Sequence, residues 1–148
     1  MSERNTIYKK NGFTLVELLV VIAVIGLLSV LSIVALGSAN RKVRDAKRLA
    51  DLQRIQVSLQ FYFTQHNAFP AGTNTVLGSP GASCLNASGW QSAGCSNPYL
   101  AQVPGDPKDG QYLYTSATSS YFINTSLEGA IENLKGRIRV TTNGIQSL

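Results

Sequence analysis

The sequence is poor in the residues on which enzymes and metal sites most often depend. Of its 148 residues one is histidine and two are cysteine, and charged residues make up 14%. Two cysteines are too few for a disulfide-dense scaffold or a four-cysteine zinc site. The low charge and the long aliphatic runs exclude an intrinsically disordered chain. The 13 glycines follow no fixed period, which excludes a collagen-like one.

What the sequence has in abundance is one apolar run near its beginning. Residues 13–36 hold a single charge, Glu17, and seventeen of the 24 are Leu, Ile, Val or Phe. As a helix the run would be about 36 Å long, enough to cross a hydrocarbon core of about 30 Å. Its insertion free energy, roughly −5 to −10 kcal/mol, outweighs the roughly 3 kcal/mol cost of one carboxylate. We therefore predict a transmembrane helix, and the preceding Lys9 and Lys10 predict a cytoplasmic N-terminus.

Three simpler interpretations of this run leave Glu17 unexplained. An ordinary secretory signal peptide, cut near residues 37–39, would have an apolar core of about 7–15 residues, which is shorter than this one. A plain single-span anchor is the second interpretation. A buried core helix is the third, and the length disfavours it. A carboxylate five residues into an apolar run is costly and marks a functional position by default.

The stretch KKNGFTLVE at residues 9–17, followed by the apolar run, resembles the class III signal of type IV pilins and of the pseudopilins of type II secretion. The resemblance implies cleavage between Gly12 and Phe13 by a prepilin peptidase, and N-methylation of Phe13. It also implies that Glu17 is the assembly glutamate, which pairs with the freed amine of a neighbouring subunit. Such pairing agrees with elementary electrostatics, because a nearby ammonium removes most of the cost of a carboxylate in hydrocarbon.

The same resemblance implies where the protein lies and what it contacts. The precursor would lie in the inner or cytoplasmic membrane, surrounded by lipid, before it enters a surface pilus or a periplasmic pseudopilus. The implied partners are further copies of this chain, other pilins, the peptidase and methyltransferase, and the inner-membrane platform with its assembly ATPase. The implied function is that of a structural filament subunit. A type II secretion pseudopilin, or a minor or competence pilin that binds DNA, is the alternative.

After the apolar run the helical pattern continues, but it becomes amphipathic. Apolar residues recur at spacings of three and four, which places them on one helix face that packs on a head: Leu49, Leu52, Ile55, Leu59 and Phe63. Pro70 cannot continue a helix, so we expect the helix to end near residue 66. His66, the only histidine, is expected to cap its last carbonyls. A single imidazole also disfavours a membrane-tethered enzyme.

Basic residues crowd the start of this amphipathic segment. The cluster comprises six basic residues, namely Arg41, Lys42, Arg44, Lys47, Arg48 and Arg54. Two acidic residues, Asp45 and Asp51, lie among them. Such a patch can bind nucleic acid, but no groove-reading motif accompanies it. We interpret it as a solvated collar near phospholipid headgroups, with DNA binding as the less favoured alternative.

The remaining residues predict a small head outside the cytoplasm. Residues 71–111 form a long loop-rich stretch, which Cys84 and Cys95 would staple. A disulfide between them would contribute about 3 kcal/mol by chain-entropy arguments, and two free thiols are the alternative. Trp90, between the cysteines, is expected to pack under the loop.

The end of the chain predicts antiparallel strands. Strands are predicted at residues 111–115, 121–124 and 137–141, and a hairpin turn at Asn143-Gly144. Residues 127–134 are expected to form a short helix or an irregular link. The predicted fold is therefore α+β, with a long N-terminal helix packed on a small antiparallel sheet, as in type IV pilins. Four segments follow: a leader (1–12), an assembly helix (13–36), its amphipathic continuation (37–66) and the head (67–148).

Two acidic residues in a turn-rich segment, Asp106 and Asp109, invite comparison with a metal site. This region resembles the C-terminal part of the major pseudopilin, where a loop binds calcium. Calcium takes six to eight oxygen ligands, so two carboxylates are weak evidence. Aspartates that bond their own turn are the preferred interpretation. No catalytic residue and no cofactor other than this weak calcium candidate is predicted.

Overall fold

The computed structural model describes residues 12–148, except for the side chain of Val34. Lys9, Lys10 and the rest of the expected leader before Gly12 lie outside the described residues. The chain divides into two compact units, one ending at Ser38 and the other comprising Ala39–Leu148. A single helix, α1 (Leu15–His66, 52 residues), begins in the first unit and ends in the second.

The first part of α1 is an exposed apolar surface. The helix contains an 18-residue window with a mean hydropathy of 3.1, none of which is buried, and it is long enough to span a membrane. The hydroxyls of Ser29 and Ser32 donate to the carbonyls of Ile25 and Leu28 at 2.7 and 2.9 Å. Both hydroxyls are therefore satisfied inside the helix, which removes much of the cost of placing them in lipid.

The helix ends where the sequence predicted, but His66 is not the cap. Asn67 has a left-handed backbone (φ 53°), and its N–H donates to the carbonyl of Phe63 at 2.8 Å. A residue in this conformation closes a helix by satisfying one of its last carbonyls. The His66 ring instead stacks on Tyr62, at 4.3 Å between ring centroids, and its Nε2 lies 3.3 Å from the Tyr99 hydroxyl.

The head contains two antiparallel sheets. The strands are β1 (Thr75–Leu77), β2 (Cys84–Asn86), β3 (Gly89–Gln91), β4 (Tyr112–Ser116), β5 (Tyr121–Ile131), β6 (Leu134–Thr141) and β7 (Gly144–Ser147). Five form one sheet in the order β1-β4-β5-β6-β7, while β2 and β3 form a separate hairpin. The predicted α+β fold, a long N-terminal helix with a small antiparallel sheet, is confirmed. The stretch predicted as loop also holds β1, β2, β3 and a 3₁₀ turn at Pro80–Ala82.

The prediction of a short helix or irregular link at residues 127–134 is wrong. β5 continues to Ile131 and pairs there with Leu134, so a two-residue turn at Glu132-Asn133 joins β5 to β6. An irregularity between Ser126 and Ala130 interrupts the pairing. Cross-strand pairing decides this segment, and a local helical pattern cannot reveal it. The hairpin predicted at Asn143-Gly144 forms, but its turn lies one residue earlier, since Thr141 pairs with Gly144.

The core lies between the predicted face of α1 and the inner face of the large sheet. Leu52, Ile55 and Leu59 are fully buried. They belong to one cluster with inward-facing strand residues, namely Tyr112, Tyr114, Ile123, Ile138 and Val140. Burying such a side chain contributes about 1.5–3 kcal/mol, so this face supplies much of the stability of the head.

Truncation on this face should destabilise the head. Leu52→Ala should lower the free energy of unfolding by about 2–5 kcal/mol, because it leaves a cavity in the core. Val57→Ala, on the exposed side of the same helix, should change it by about 0.5 kcal/mol or less. Denaturant unfolding of the detergent-solubilised chain, followed by the fluorescence of Trp90, measures both. Equal effects would contradict the packing described.

Candidate functional site

The first turn of α1 is closed by three hydrogen bonds that run in both directions between Thr14 and Glu17. Thr14 donates to Glu17 Oε2 from its backbone N–H (2.8 Å) and from its hydroxyl (2.7 Å). The Glu17 N–H donates back to Thr14 Oγ1 at 3.2 Å. This is a capping box, which satisfies helix N–H groups that have no partner within the helix. The spacing Thr-x-x-Glu is the sequence signal of this capping box, which the sequence analysis did not predict.

The three residues of the expected processing and assembly site lie together at this end of the helix. Gly12 and Phe13 immediately precede the capping box, and the Phe13 side chain is 85% exposed. Glu17 is also exposed, at the start of the apolar surface of α1. A carboxylate at a helix N-terminus is favoured by the helix dipole. The same carboxylate is therefore stabilised within its own chain and accessible to another.

A second polar cluster, which the sequence did not reveal, lies in the head. Arg48 is only 2% exposed and contacts three carboxylates. Its Nε and Nη2 donate to Asp106 at 2.7 and 2.8 Å, which is a bidentate pair. Its Nη1 donates to Asp45 at 2.7 Å and to Glu128 at 3.0 Å. We call these four residues, together with Arg44, the Arg48 network.

The Arg48 network ties α1 to β5 at the interruption in its pairing. Asp45, fully buried, accepts the backbone N–H groups of Glu128 (2.9 Å) and Gly129 (2.8 Å). Arg44 Nε donates to Glu128 at 2.6 Å. Backbone groups left unpaired by the irregular strand are thus satisfied by the helix, as buried backbone groups require. The network fixes where β5 crosses the helix.

The interpretation of the basic cluster as a solvated collar is wrong for Arg44 and Arg48. Both are engaged with carboxylates that lie 58 to 84 residues further along the chain. Sequence spacing cannot reveal such long-range pairs. Lys42 and Lys47 are exposed.

The acidic turn belongs to the same network. Asp106 Oδ1 accepts the backbone N–H groups of Lys108 at 2.9 Å and Gly110 at 3.2 Å, in addition to the bonds from Arg48. The Asp106 carboxylate therefore orders its own turn and neutralises a guanidinium, whereas Asp109 is exposed. Within residues 12–148, no group of three or more His, Cys, Asp or Glu side chains is arranged to hold a metal ion.

Ion pairing shifts the pKa values of the charged groups in the Arg48 network. The hydrogen bond from Arg44 lowers the pKa of Glu128 to about 2, and the bond from Arg48 lowers the pKa of Asp106. The bond to Asp106 raises the pKa of Arg48. The charged forms are therefore the stable ones at neutral pH.

The loop before β4 is held by covalent and aromatic contacts. Cys84, at the start of β2, and Cys95 form a disulfide with their Cα atoms 6.4 Å apart. Trp90 packs against the core and meets the Tyr114 ring edge-on, at 5.1 Å between centroids. The hairpin of β2 and β3 is thus attached to the large sheet, as an anchor under the loop would require.

Helix α1 begins with a capped glutamate, continues as an exposed apolar surface and then packs on a small sheet. This combination is typical of membrane-anchored subunits. The family model of the prokaryotic N-terminal methylation motif matches residues 7–39. The chain is similar to type II secretion system core protein G of Escherichia coli (strain K12), at 28% identity over 108 residues and 71% of each chain. Its similarity to the protein of that name from Aeromonas hydrophila is 27% over 111 residues, 73% of this chain and 74% of the relative. No solved structure gives a significant match.

The N-terminal methylation motif and the similarity to these two proteins support a pilin-like filament subunit whose precursor is anchored in the membrane. The motif and the similarity imply processing by a prepilin peptidase and assembly into filaments with other pilins.

Removing the central cation should destabilise the head more than removing any exposed one. Arg48→Met should lower the free energy of unfolding by about 3–5 kcal/mol, because it leaves buried carboxylates without a counter-ion. Lys42→Met removes an exposed cation and should cost about 0.5 kcal/mol or less. Thermal or denaturant unfolding measures the stability of both variants. Equal stabilities would show that the Arg48 network does not stabilise the head.

The network should also make the head acid-sensitive. A carboxylate whose pKa is lowered by folding stabilises the folded state at any pH above its ordinary pKa. This stabilisation is lost as the pH falls towards the pKa of the folded state. For Glu128 that window runs from 4.5 down to about 2. The denaturant concentration at the unfolding midpoint should therefore decrease as the pH is lowered from about 5 to about 2. Glu128→Gln should flatten this part of the curve, and an unchanged slope would argue against the pairing.

Proposed function

We propose that the precursor is cleaved between Gly12 and Phe13, N-methylated at Phe13, and polymerised through α1 into a pilus or pilus-like filament. The observation that carries the proposal is the exposed apolar surface of α1 with Glu17 at its start. A surface of this extent is stable only against lipid or against other apolar surfaces. Stacking identical helices head to tail gives a heterologous contact that does not close, which produces fibres.

Glu17 changes partner during this assembly. In the single chain its carboxylate accepts two hydrogen bonds from Thr14. Cleavage before Phe13 creates an ammonium group on a neighbouring subunit. A charge in the hydrocarbon core costs about 3 kcal/mol, and an opposite charge removes much of that cost. Subunits therefore leave the lipid in the register that brings the two charges together.

A second candidate is a pseudopilin of a type II secretion system. Both relatives described above carry the name type II secretion system core protein G, and the similarity extends over about seven tenths of this chain. This supports the proposal that the filament is a periplasmic pseudopilus. Both candidate functions use the same kind of subunit. Both also use the same kind of assembly machinery, namely an inner-membrane platform with its ATPase.

The proposed role is structural rather than catalytic. The N-terminus faces the cytoplasm and the head lies outside it, where a disulfide such as Cys84–Cys95 persists. DNA binding by the basic cluster of α1 is not part of the proposal. Two of its six cations, Arg44 and Arg48, are engaged in the Arg48 network.

The test separates the charge of Glu17 from its capping role. Glu17→Gln keeps a side chain that can close a capping box but removes the charge, whereas Glu17→Val removes both. We expect both variants to be trimmed and inserted, and to yield at least about tenfold fewer filaments, a difference of about 1.4 kcal/mol. Thr14→Ala, which removes the cap and keeps the charge, should assemble better than either.

Intact mass of each membrane-extracted chain monitors processing. Loss of residues 1–12 with one added methyl group is expected for the parent and all variants. A start near Asn40 would identify an ordinary signal peptide and end the proposal. Normal filaments from Glu17→Gln would show that Glu17 acts as a helix cap and not through its charge.

A further inference from the structure

The outer face of the large sheet carries two arginines that have no carboxylate partner among residues 12–148. Ile138 and Val140 of β6 are buried in the core, so the alternating residues Arg137 and Arg139 point to the opposite face. They line a cavity of about 430 Å³. We call it the arginine cleft, and its lining includes Leu113, Asn124, Ser126, Arg137 and Arg139.

Arg139 is held in place by contacts within its own chain. Arg139 Nε donates to Asn124 Oδ1 at 2.9 Å, and its guanidinium lies 4.6 Å from the centroid of the Phe122 ring. Asp109 lies at the edge of the cleft. In the part of the chain that the structure describes, it forms no ion pair with either arginine. One oriented guanidinium, that of Arg139, and the exposed guanidinium of Arg137 lie beside apolar surface, which suits an anionic group with apolar neighbours.

The tip of the β5–β6 hairpin has that chemistry. Glu132 is exposed in the two-residue turn, and half-buried Ile131 and Leu134 flank the turn on either side. Its backbone is left-handed, with φ of 53°. Turns of this kind favour Asn or Gly, and a glutamate there is unfavourable. A side chain kept at a strained, exposed position indicates a use for its carboxylate.

Most of the other side-chain carboxylates of the unit Ala39–Leu148 are engaged within their own chain. Three belong to the Arg48 network, Asp51 accepts a bond from the Tyr112 hydroxyl, and Asp109 lies at the edge of the cleft itself. Among the described side-chain carboxylates, Glu132 is exposed, lies outside the lining of the arginine cleft and has apolar neighbours that fit it. Glu132 does not reach the arginine cleft of its own chain, because Arg137 lies five residues further along the strand, a distance of roughly 17 Å.

We propose that the Glu132 tip of one subunit docks in the arginine cleft of a neighbouring copy of this chain. The contact joins two different surfaces, so it repeats along a filament without closing. It rests on the proposed function, since it acts between heads of an assembled filament.

Charge exchange between the two surfaces tests the contact. Glu132→Arg and Arg137→Glu should each reduce the filament yield of the full chain about fivefold or more, because each places like charges together. The double variant restores opposite charges and should return the yield to within about twofold of the parent. Yield is measured on filaments sheared from cells that assemble the parent chain.

A matched variant separates assembly from folding. Glu132→Asn removes the charge and places a residue suited to the left-handed turn, so the head should melt no lower than the parent while assembly falls. A loss of yield with a lowered melting temperature would overturn the proposal, because it would trace the defect to folding.

Three further outcomes would overturn the docking contact. The single variants could assemble as well as the parent. The double variant could be no better than either single one. DNA retention by parent filaments, lost in Arg137→Glu alone, would assign the cleft to phosphate groups of nucleic acid instead. Failure of the proposed function is distinct, because the parent chain itself would then be untrimmed or unpolymerised.

Discussion

The head depends on one buried cation. Arg48 lies among Asp45, Asp106 and Glu128, and it joins the helix to the turn before β4 and to the irregular part of β5. Neither of those segments has a regular pairing partner for its backbone at that point, and the carboxylates that surround Arg48 also bond their N–H groups. A cluster of this kind gains specificity of geometry more than net stability, since desolvating the charges offsets much of their attraction.

The features that were predictable from the sequence are those written in local patterns. The apolar run, the spacing of Leu52, Ile55 and Leu59, and the stop before Pro70 each depend on neighbours within a few residues. They predicted the helix and its buried face. The hairpin strands near the end of the chain followed from alternation and turn chemistry in the same way.

The Arg48 network escaped prediction because its partners are far apart in the chain. Arg44 and Glu128 are separated by 84 residues, and a run of basic residues looks the same whether it is solvated or paired. The strand at residues 127–131 was missed for a related reason, since pairing with β6 and not local preference decides its conformation. Of the candidate site, Gly12, Phe13 and Glu17 were found by motif, whereas the role of Thr14 needed the geometry.

The capping box at Thr14 and Glu17 has a consequence for the reverse of assembly. If the neighbour's ammonium replaces the Thr14 donors in the filament, polymerisation is an exchange of partners and not the rescue of a bare charge. Its driving force is then only the difference between two satisfied states. A subunit that returns to the membrane would then find the Thr14 donors in place, so its carboxylate is satisfied again within its own chain.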